Sequence, residues 1–326
     1  RMSILNRIDK TKCIELVMGI VGINITFVVS GVLFEWMTKL TYTNIETGTN
    51  EYFRSAVGLI AIERGIVWLL AEIWNHFTIP RSQAVKMPSK NLAICGFIIF
   101  FSSVTNTEAI YMVSFPLTIM VKSCNILSVI LVGVLCSRVT DKQLKLGPKK
   151  LIVAIVVTMG ILMFRVFDPE ADFSSKDGQK TEIFGLLLLL ASLMSDGFLP
   201  DFQAEVKEKY KPSPTEMMLE VNKWSFLFCL AYCIVIGQFW YTLQFCWYYP
   251  LFTIHLVSMS ILTFIGQIFV YRMIKQFKQH IVPFVVTTRK IITVGFSLIY
   301  FNHKSSFGQV IGIIMVFCIT SYEFLS

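Results

Sequence analysis

The stretch Ile281–Tyr300, IVPFVVTTRKIITVGFSLIY, is the feature that most constrains this chain. It is long enough to cross a bilayer as a helix, which takes about 20 predominantly apolar residues. Two adjacent cations, Arg289 and Lys290, nevertheless lie near its middle. A cation at the bilayer centre costs roughly 2.5–3.5 kcal/mol on insertion scales, so a pair of them indicates a site for a negatively charged ligand.

The stretch Phe115–Cys136, FPLTIMVKSCNILSVILVGVLC, repeats this pattern with one cation, Lys122. When Pro116 is aligned with Pro283, Lys122 falls on Arg289. Each cation lies six residues beyond a proline, and proline is suited to the first turn of a helix. Two such helices predict a path for an anion between them.

The composition is typical of an integral membrane protein, because 55% of the 326 residues are hydrophobic and only 15% are charged. The eight cysteines are scattered through apolar stretches without a CxxC pair, which is typical of small buried side chains. This pattern predicts no disulfide framework, no metal site and no cofactor.

Ten hydrophobic stretches are long enough to cross a lipid bilayer, which predicts an all-α membrane protein with ten transmembrane helices. The second stretch contains four charged residues, and the break between the third and fourth depends on Ser114 to Pro116. The predicted spans lie at about 13–38, 52–78, 91–113, 115–136, 150–167, 182–202, 219–240, 249–273, 281–301 and 307–324.

Lysine and arginine alternate between successive connections as the positive-inside rule requires of a correct span count. When residues near the ends of spans are counted with the adjacent connection, nineteen of the 29 Lys and Arg residues fall on the side of the N-terminus, five on the other side and five deeper within the spans. Both termini are therefore predicted to be cytosolic. The net charge of +8 follows mostly from this topology and gives no reason to expect a nucleic-acid partner.

The positions of Lys122 in the fourth span and Arg289 in the ninth suggest one domain, residues 1–326, built from two five-helix repeats. Repeat one covers about 13–167 and repeat two about 182–324. Because five is odd, the second repeat is inverted relative to the first, a plan that places a site near the membrane midplane. Each cation lies roughly 10–12 Å from the start of its helix, so both approach the centre of a ~30 Å core.

Several short motifs lie along the chain in a characteristic order. They are GVLFE at 31–35, KSC at 122–124 after an FP pair, SDGFLPDFQ at 195–203, GQ at 266–267 and TTRK at 287–290. In this order they resemble the nucleotide-sugar transporters of the drug/metabolite transporter superfamily. The resemblance is to the endoplasmic reticulum UDP-galactose transporter type, in solute carrier family 35 B, and covers nearly the whole chain.

This resemblance implies alternating-access antiport of UDP-galactose or UDP-glucose across the endoplasmic reticulum or Golgi membrane, with an ATP/ADP exchanger as the alternative. By the same resemblance, Lys122, Arg289 and Lys290 correspond to a phosphate-binding cluster. The alternative for these cations is pairing with intramembrane acids. Since Arg289 and Lys290 are about 100° apart on a helix, one can face the cavity while the other pairs with an acid such as Asp196.

Other polar residues in the spans have both a functional and a structural interpretation. Asn106 and Gln267 could bind a base or a sugar, although hydrogen bonds between helices are the more common use of such amides. Glu35 and Arg54 lie near the same predicted membrane face, where they form either a structural ion pair or a gate. The adjacent charges Glu63-Arg64 favour pairing between helices, because neighbours in sequence do not face each other on a helix.

Two functions of other classes compete with transport. A membrane-embedded enzyme that uses nucleotide sugars needs carboxylates in an aqueous loop. The longest predicted connections, about 168–181 and 203–218, carry no paired-carboxylate motif, so the sequence favours a protein that is not an enzyme. A channel can select anions with rings of cations, but two cations in inverted halves favour alternating access.

Overall fold

The computed structural model describes residues 2–78, 89–123, 148–167, 176–210, 212–276, 281–300 and 306–325. Within these ranges the chain forms eleven helices and a ribbon of two short strands. The helices are α1 (Met2–Lys39), α2 (Ala56–Thr78), α3 (Ser89–Ile110), α4 (Phe115–Ser123), α5 (Pro148–Val166), α6 (Lys176–Tyr210), α7 (Pro214–Val235), α8 (Gln238–Tyr248), α9 (Pro250–Gln276), α10 (Ile281–Tyr300) and α11 (Phe307–Leu325). The strands are β1 (Tyr42–Thr43) and β2 (Asn50–Glu51).

The prediction of an all-α membrane protein is confirmed at the level of class. Four helical segments in the described ranges are long and apolar enough to cross a membrane: Ile14–Lys39, Lys90–Ile110, Thr215–Val235 and Pro250–Met273. Three shorter apolar segments are Ile155–Phe164, Ile183–Leu199 and Phe307–Ile319. The ribbon β1–β2 is a small departure from a purely helical fold.

Helix α1 shows how these helices divide between lipid and protein. One stripe of large apolar side chains at helical spacing is exposed, namely Ile14, Val17, Met18, Val21, Ile25 and Val29. The opposite face buries Ile23, Thr26 and Ser30. An exposed apolar stripe on a long helix is what contact with acyl chains requires, because the backbone polar groups are satisfied within the helix.

The helices follow the predicted spans closely in most places. The break between the third and fourth spans is confirmed, since α3 ends at Ile110 and α4 begins at Phe115. Pro116 lies in the first turn of α4, where its missing N–H removes no helical hydrogen bond. The remainder of the fourth predicted span, residues 124–136, lies outside the described residues.

The predicted seventh span, 219–240, was wrong at both ends. Helix α7 begins at Pro214 because Ser213 forms a capping box with Glu216, in which each side chain accepts a hydrogen bond from the other residue's backbone N–H. It ends at Val235 because Gly237 adopts a left-handed conformation, with φ of 72°. The chain then forms α8, a separate short helix whose first three residues fell in the predicted seventh span and whose remainder, 241–248, fell in the predicted connection.

The start of the second span also needs correction. Arg54 was placed inside that span, but α2 begins at Ala56 and Arg54 lies exposed before it. Ser55 defines this start, because its hydroxyl accepts a hydrogen bond from the backbone N–H of Gly58 at 3.0 Å. The same hydroxyl donates to Gln238 Oε1, which ties the start of α2 to α8.

Aromatic rings pack the ribbon against α8 and the start of α9. The ring of Tyr42 lies 5.3 Å from that of Phe252, and Phe53 lies 4.5 Å from the same ring. Phe245 and Tyr249 stack at 4.0 Å, between centroids, beside them. This cluster joins the connection between α1 and α2 to the connection between α7 and α9.

The contacts between helices include the pairs α1 with α9, α3 with α6, α2 with α7, α5 with α11, α4 with α10, α1 with α10, α2 with α9 and α3 with α7. Small residues permit the closest approach, between α5 and α11. A Cβ added to Gly312 would lie 2.6 Å from the carbonyl oxygen of Gly160, so only glycine fits. Packing through small residues is the usual way in which membrane helices associate, because lipid supplies no hydrophobic driving force between them.

Candidate functional site

A cavity of about 200 Å³ lies between α1, α3, α4 and α10. All three predicted phosphate-binding residues line it, Lys122 from α4 together with Arg289 and Lys290 from α10. The remaining lining residues are Phe27, Gly31, Asn106, Ile110, Phe115, Thr118, Ile119 and Thr293. The two proline-led helices therefore meet at one cavity, as the alignment of Pro116 with Pro283 predicts.

The approach of α1 to α10 depends on a small residue. A Cβ added to Gly31 would lie 3.2 Å from Thr293 Cγ2 and 3.8 Å from the ring of Phe115. Phe115 in turn stacks on Phe34 of α1, with ring centroids 6.1 Å apart. These contacts bring α1, α4 and α10 together on one side of the cavity.

Lys122 is held in a compact polar cluster. Its Nζ lies 2.6 Å from Asp196 Oδ2 of α6 and donates to Ser102 Oγ of α3 at 2.9 Å. The Ser102 hydroxyl donates in turn to Asp196 Oδ1, and the Ser192 hydroxyl donates to the Ser102 carbonyl at 2.7 Å. The ammonium is thus neutralised by a carboxylate that is itself fixed by a hydroxyl.

Arg289 has a different environment. Its guanidinium carbon lies 4.3 Å from the centre of the Phe27 ring, which is the geometry of a cation–π contact. Its Nε is buried and makes no hydrogen bond to any residue that the structure describes. Such a guanidinium retains donor capacity for a ligand with several acceptor oxygens, and phosphate has that chemistry.

Lys290 joins the two halves of the site. Its Nζ donates a hydrogen bond to the backbone carbonyl of Lys122, which links α10 to α4. The expectation that only one of Arg289 and Lys290 faces the cavity is corrected, because both line it. Both side chains are long enough to reach the same space from positions about 100° apart on the helix. Asp196 is placed beside Lys122, and not beside either α10 cation.

The two candidate amides separate in the structure. Asn106 lines the cavity, and its Oδ1 has no hydrogen-bond partner within the described part of the chain. Gln267 lies apart from the cavity lining and accepts a hydrogen bond from Asn222 Nδ2 at 3.1 Å. The sequence cannot separate these two uses, because both amides lie in the middle of apolar spans.

Gln267 belongs to a second polar network between α2, α3, α7 and α9. Arg64 donates to Asn222 Oδ1 at 3.2 Å and to Ser103 Oγ at 3.3 Å, while Glu63 Oε2 lies 3.9 Å from its Nε. Arg64 therefore reaches two other helices through neutral side chains, while its described ion pair is with its neighbour Glu63 in the same helix and not between helices as predicted. The network gives Gln267 a packing role in this conformation.

Glu35 and Arg54, the candidate gate residues, lie in different environments. The Glu35 carboxylate is fully buried and lies 2.7 Å from the ammonium of Lys39, one turn further along α1. Arg54 is exposed in the segment before α2. The predicted Glu35–Arg54 pair is therefore replaced by a pair within one helix, because Arg54 lies outside the span in which it was placed.

Sequence reasoning missed two contributors to the site, Ser102 and Phe27. Ser102 forms hydrogen bonds with both Lys122 and Asp196, and the Phe27 ring forms the cation–π contact with the Arg289 guanidinium. The only available signal for Ser102 is its position one turn before Asn106, on the same face of a helix. Phe27 has no signal of its own among the 28 phenylalanines of the chain.

The fold and the cavity define a predominantly helical membrane protein in which three cations line one internal cavity. Comparison with protein families then gives its membership. The UAA transporter family matches residues 15–326, and the chain belongs to that family. The class predicted from the motifs, a nucleotide-sugar transporter type within solute carrier family 35 B, agrees with this result.

Individual relatives cover most of the chain at modest identity. Solute carrier family 35 member B1 of Xenopus laevis is 28% identical over 308 residues, which cover 93% of this chain and 92% of that protein. The protein of the same name from Gallus gallus is 30% identical over 289 residues, covering 88% and 85%. Adenosine 3'-phospho 5'-phosphosulfate transporter 1 of Drosophila melanogaster is 25% identical over 311 residues, covering 95% of this chain and 65% of that protein.

The fold also resembles a solved structure. One crystal structure superposes with a TM-score of 0.58 over 94% of this chain and 95% of the other, at 10% identity. Identity this low supports a shared fold alone. The matched family and the Drosophila relative are both named transporters, and the Xenopus relative is named a solute carrier. The protein is therefore a membrane transporter of a nucleotide-related transporter family.

Proposed function

We propose that this protein exchanges nucleotide sugars, UDP-galactose or UDP-glucose, across the endoplasmic reticulum or Golgi membrane by alternating access. The substrate phosphates are bound by Lys122, Arg289 and Lys290. The observation that carries this proposal is the convergence of three cations from two helices on one internal cavity. Unpaired charge is costly inside a membrane, so cations at this depth imply an anionic ligand.

The individual environments suit a phosphate ligand. Arg289 presents a planar guanidinium held against Phe27, with donors left for bidentate contact to phosphate oxygens. Lys122 and Lys290 act as compact point charges on either side. Asn106, with its unpartnered Oδ1 at the same cavity, is placed to accept a hydrogen bond from a sugar hydroxyl or a base.

The size of the cavity supports alternating access. Its volume of about 200 Å³ is below the roughly 300–1,000 Å³ of typical ligand pockets. A whole nucleotide sugar therefore needs the walls to separate before it enters. The stacked pair Phe34 and Phe115, which joins α1 to α4 beside the cavity, is a contact that such an opening would break.

The pattern of helix contacts supports ten spans in two repeats. We pair α1 with α6, α2 with α7, α3 with α9, α4 with α10 and α5 with α11 as equivalents. If each helix is replaced by its equivalent, the contact α1–α9 becomes α6–α3 and the contact α2–α9 becomes α7–α3. The contacts α2–α7, α4–α10 and α5–α11 each join two equivalent helices, so they are unchanged. Every one of these contacts is present, as a two-fold relation between the halves requires.

Side-chain contacts follow the same exchange. Ser30 of α1 and Thr263 of α9 have hydroxyl oxygens 3.1 Å apart, and Ser192 of α6 and Ser102 of α3 have hydroxyl oxygens 3.0 Å apart. The two hydroxyl pairs occupy equivalent places if α1 corresponds to α6 and α3 to α9. Helix α8 lies outside both repeats.

The orientation with both termini in the cytosol rests on the distribution of lysine and arginine. Lys209, exposed near the end of α6, should then face the cytosol. A single cysteine at this position, in a variant without other reactive cysteines, is expected to label from the cytosolic side of sealed vesicles. Labelling from the opposite side alone would overturn the orientation.

A second candidate function is exchange of adenine nucleotides. One relative is named a transporter of adenosine 3'-phospho 5'-phosphosulfate, a nucleotide that carries phosphates but no sugar beyond its ribose. The same three cations suit ATP and ADP as well. The choice between these substrates needs a direct comparison in one assay.

Exchange is favoured over free uniport by the cost of closing an empty site. Among the contacts of the described residues, Asp196 is the counter-ion beside Lys122 when the substrate leaves, and the contact of the Arg289 guanidinium is with the Phe27 ring. Closing the cavity around these cations without a phosphate costs several kcal/mol. A loaded carrier brings its own counter-charge through this step.

The test is uptake of a labelled UDP-sugar into proteoliposomes with and without an internal nucleotide. Strong stimulation by internal nucleotide is expected, and equal initial rates in both preparations would refute exchange. A parallel screen with UDP-sugars, ADP, ATP and nucleoside monophosphates identifies the substrate. Transport of none of these compounds would refute the proposed function as a whole.

A further inference from the structure

Asp196 is bound to the same ammonium that a substrate phosphate would use. Its Oδ2 lies 2.6 Å from Lys122 Nζ, and its other oxygen accepts a hydrogen bond from Ser102. Asp196 is not itself part of the cavity lining, but its partner Lys122 is, and the Asp196 side chain keeps 38% of its surface exposed. A lysine has three N–H donors, and the contacts to Asp196 and Ser102 leave one for a ligand.

The fold does not require a carboxylate at this place. In the proposed repeats, Ser30 of α1 corresponds to Ser192 of α6, so Phe34 of α1 corresponds to Asp196, four residues further along its helix. The equivalent cation of the other half, Arg289, contacts a different aromatic residue of α1, Phe27. The same scaffold is thus built with and without an acid at this position, which points to a role in ligand recognition.

The charge of the site follows from this pairing. The charged residues that line the cavity, Lys122, Arg289 and Lys290, and the Asp196 carboxylate that pairs with Lys122 have charges that sum to +2. A diphosphate esterified at both ends carries one negative charge on each phosphate. A free terminal phosphate adds a second ionisation with a pKa near ~6, so it brings additional negative charge at neutral pH.

We propose that Asp196 is a specificity-determining residue that matches the cavity to the diester diphosphate of a nucleotide sugar and disfavours nucleotides that end in a free phosphate. The proposal rests on the proposed transport of nucleotides at this site. Its physical basis is that excess charge of either sign is costly in a poorly hydrated cavity. The Asp196 carboxylate neutralises one of the three positive charges of the site. A ligand with more than two negative charges is then no longer matched by the charge of the site.

The experiment uses the full chain in proteoliposomes and measures how UDP-galactose and ADP compete with a labelled UDP-sugar. The quantity of interest is the ratio of their apparent affinities. In Asp196→Asn this ratio is expected to shift toward ADP by about tenfold, the effect of one unit charge at roughly 10 Å through an effective dielectric constant of ~20. Asp196→Glu keeps the charge and should keep the ratio of the unmodified protein.

A matched control is Glu220→Gln, which also converts a carboxylate to an amide but lies on α7 in a pair with Lys223. It is expected to leave the ratio unchanged. A second neutral variant, Asp196→Ser, is measured beside Asp196→Asn so that a folding defect in one does not remove the comparison. If both neutral variants fail to fold, the carboxylate is structural and the proposal is overturned.

The remaining outcomes separate the two proposals. An unchanged ratio in a folded, transporting Asp196→Asn protein refutes the role of Asp196 and leaves nucleotide-sugar transport intact. An equal shift in Asp196→Glu shows that side-chain shape, not charge, sets the preference, and likewise refutes it. Absence of transport of any nucleotide by the unmodified protein refutes the proposed function itself.

Discussion

The substitution Lys122→Met should destabilise the protein through the acid that it leaves behind. The methionine side chain is similar in length but cannot neutralise Asp196, whose carboxylate lies 2.6 Å from the lysine ammonium. Asp196 then keeps only the hydrogen bond from Ser102 in the described contacts of the site. Removing one partner of a buried ion pair is costly because the other charge stays behind in a poorly hydrated place.

The size of this effect follows from the exposure of the pair. Breaking a fully buried pair costs about 3–5 kcal/mol. Lys122 is 18% exposed and Asp196 38% exposed, so solvent screens part of the charge and we expect about 1–3 kcal/mol. In the double variant Lys122→Met/Asp196→Asn no charge is left unpaired, and most of this loss should be recovered.

The assay is thermal unfolding of the purified protein in detergent, combined with transport in proteoliposomes. Lys122→Met is expected to lower the apparent Tm by a few degrees, on the order of 2–5 °C. The double variant should return toward the unmodified Tm and still fail to transport, because the phosphate contact is lost. Lys223→Met is the matched control, since its pair with Glu220 is longer, at 3.4 Å, with the lysine 40% exposed.

Three results would contradict these expectations. An unchanged Tm in Lys122→Met would show that Asp196 does not depend on the ion pair. A double variant no more stable than Lys122→Met would show that the loss arises from packing instead of charge. Full transport by the double variant would remove Lys122 from the phosphate site.

Two further predictions concern other parts of the molecule. Arg289→Ala should lower the apparent affinity for a nucleotide substrate by roughly a hundredfold, because one charge-assisted contact is worth a few kcal/mol, and normal transport kinetics would exclude Arg289 from the site. Gly312→Leu should abolish folding, because its Cβ would lie 2.6 Å from the Gly160 carbonyl oxygen. Folded, monodisperse Gly312→Leu protein in size-exclusion chromatography would refute that close approach.

The sequence itself determined the class of the protein and the approximate position of most helices. Long apolar stretches and proline positions act locally, so they are readable without knowledge of packing. The shared spacing of Lys122 and Arg289 from Pro116 and Pro283 likewise predicted that the cations meet, and both line one cavity. The helix boundary at Gly237 was missed because hydropathy does not report a left-handed residue.

Tertiary structure alone decided which polar residues share the site. Asn106 and Gln267 have the same chemistry in similar apolar surroundings, but one lines the cavity and the other pairs with Asn222. The difference arises from the rotation of each helix about its axis, which no local pattern specifies. Ser102 and Asp196 reach Lys122 for the same reason, because α3 and α6 pack with those faces together. Hydropathy determines that a helix crosses the membrane, but packing between helices determines what each face contacts.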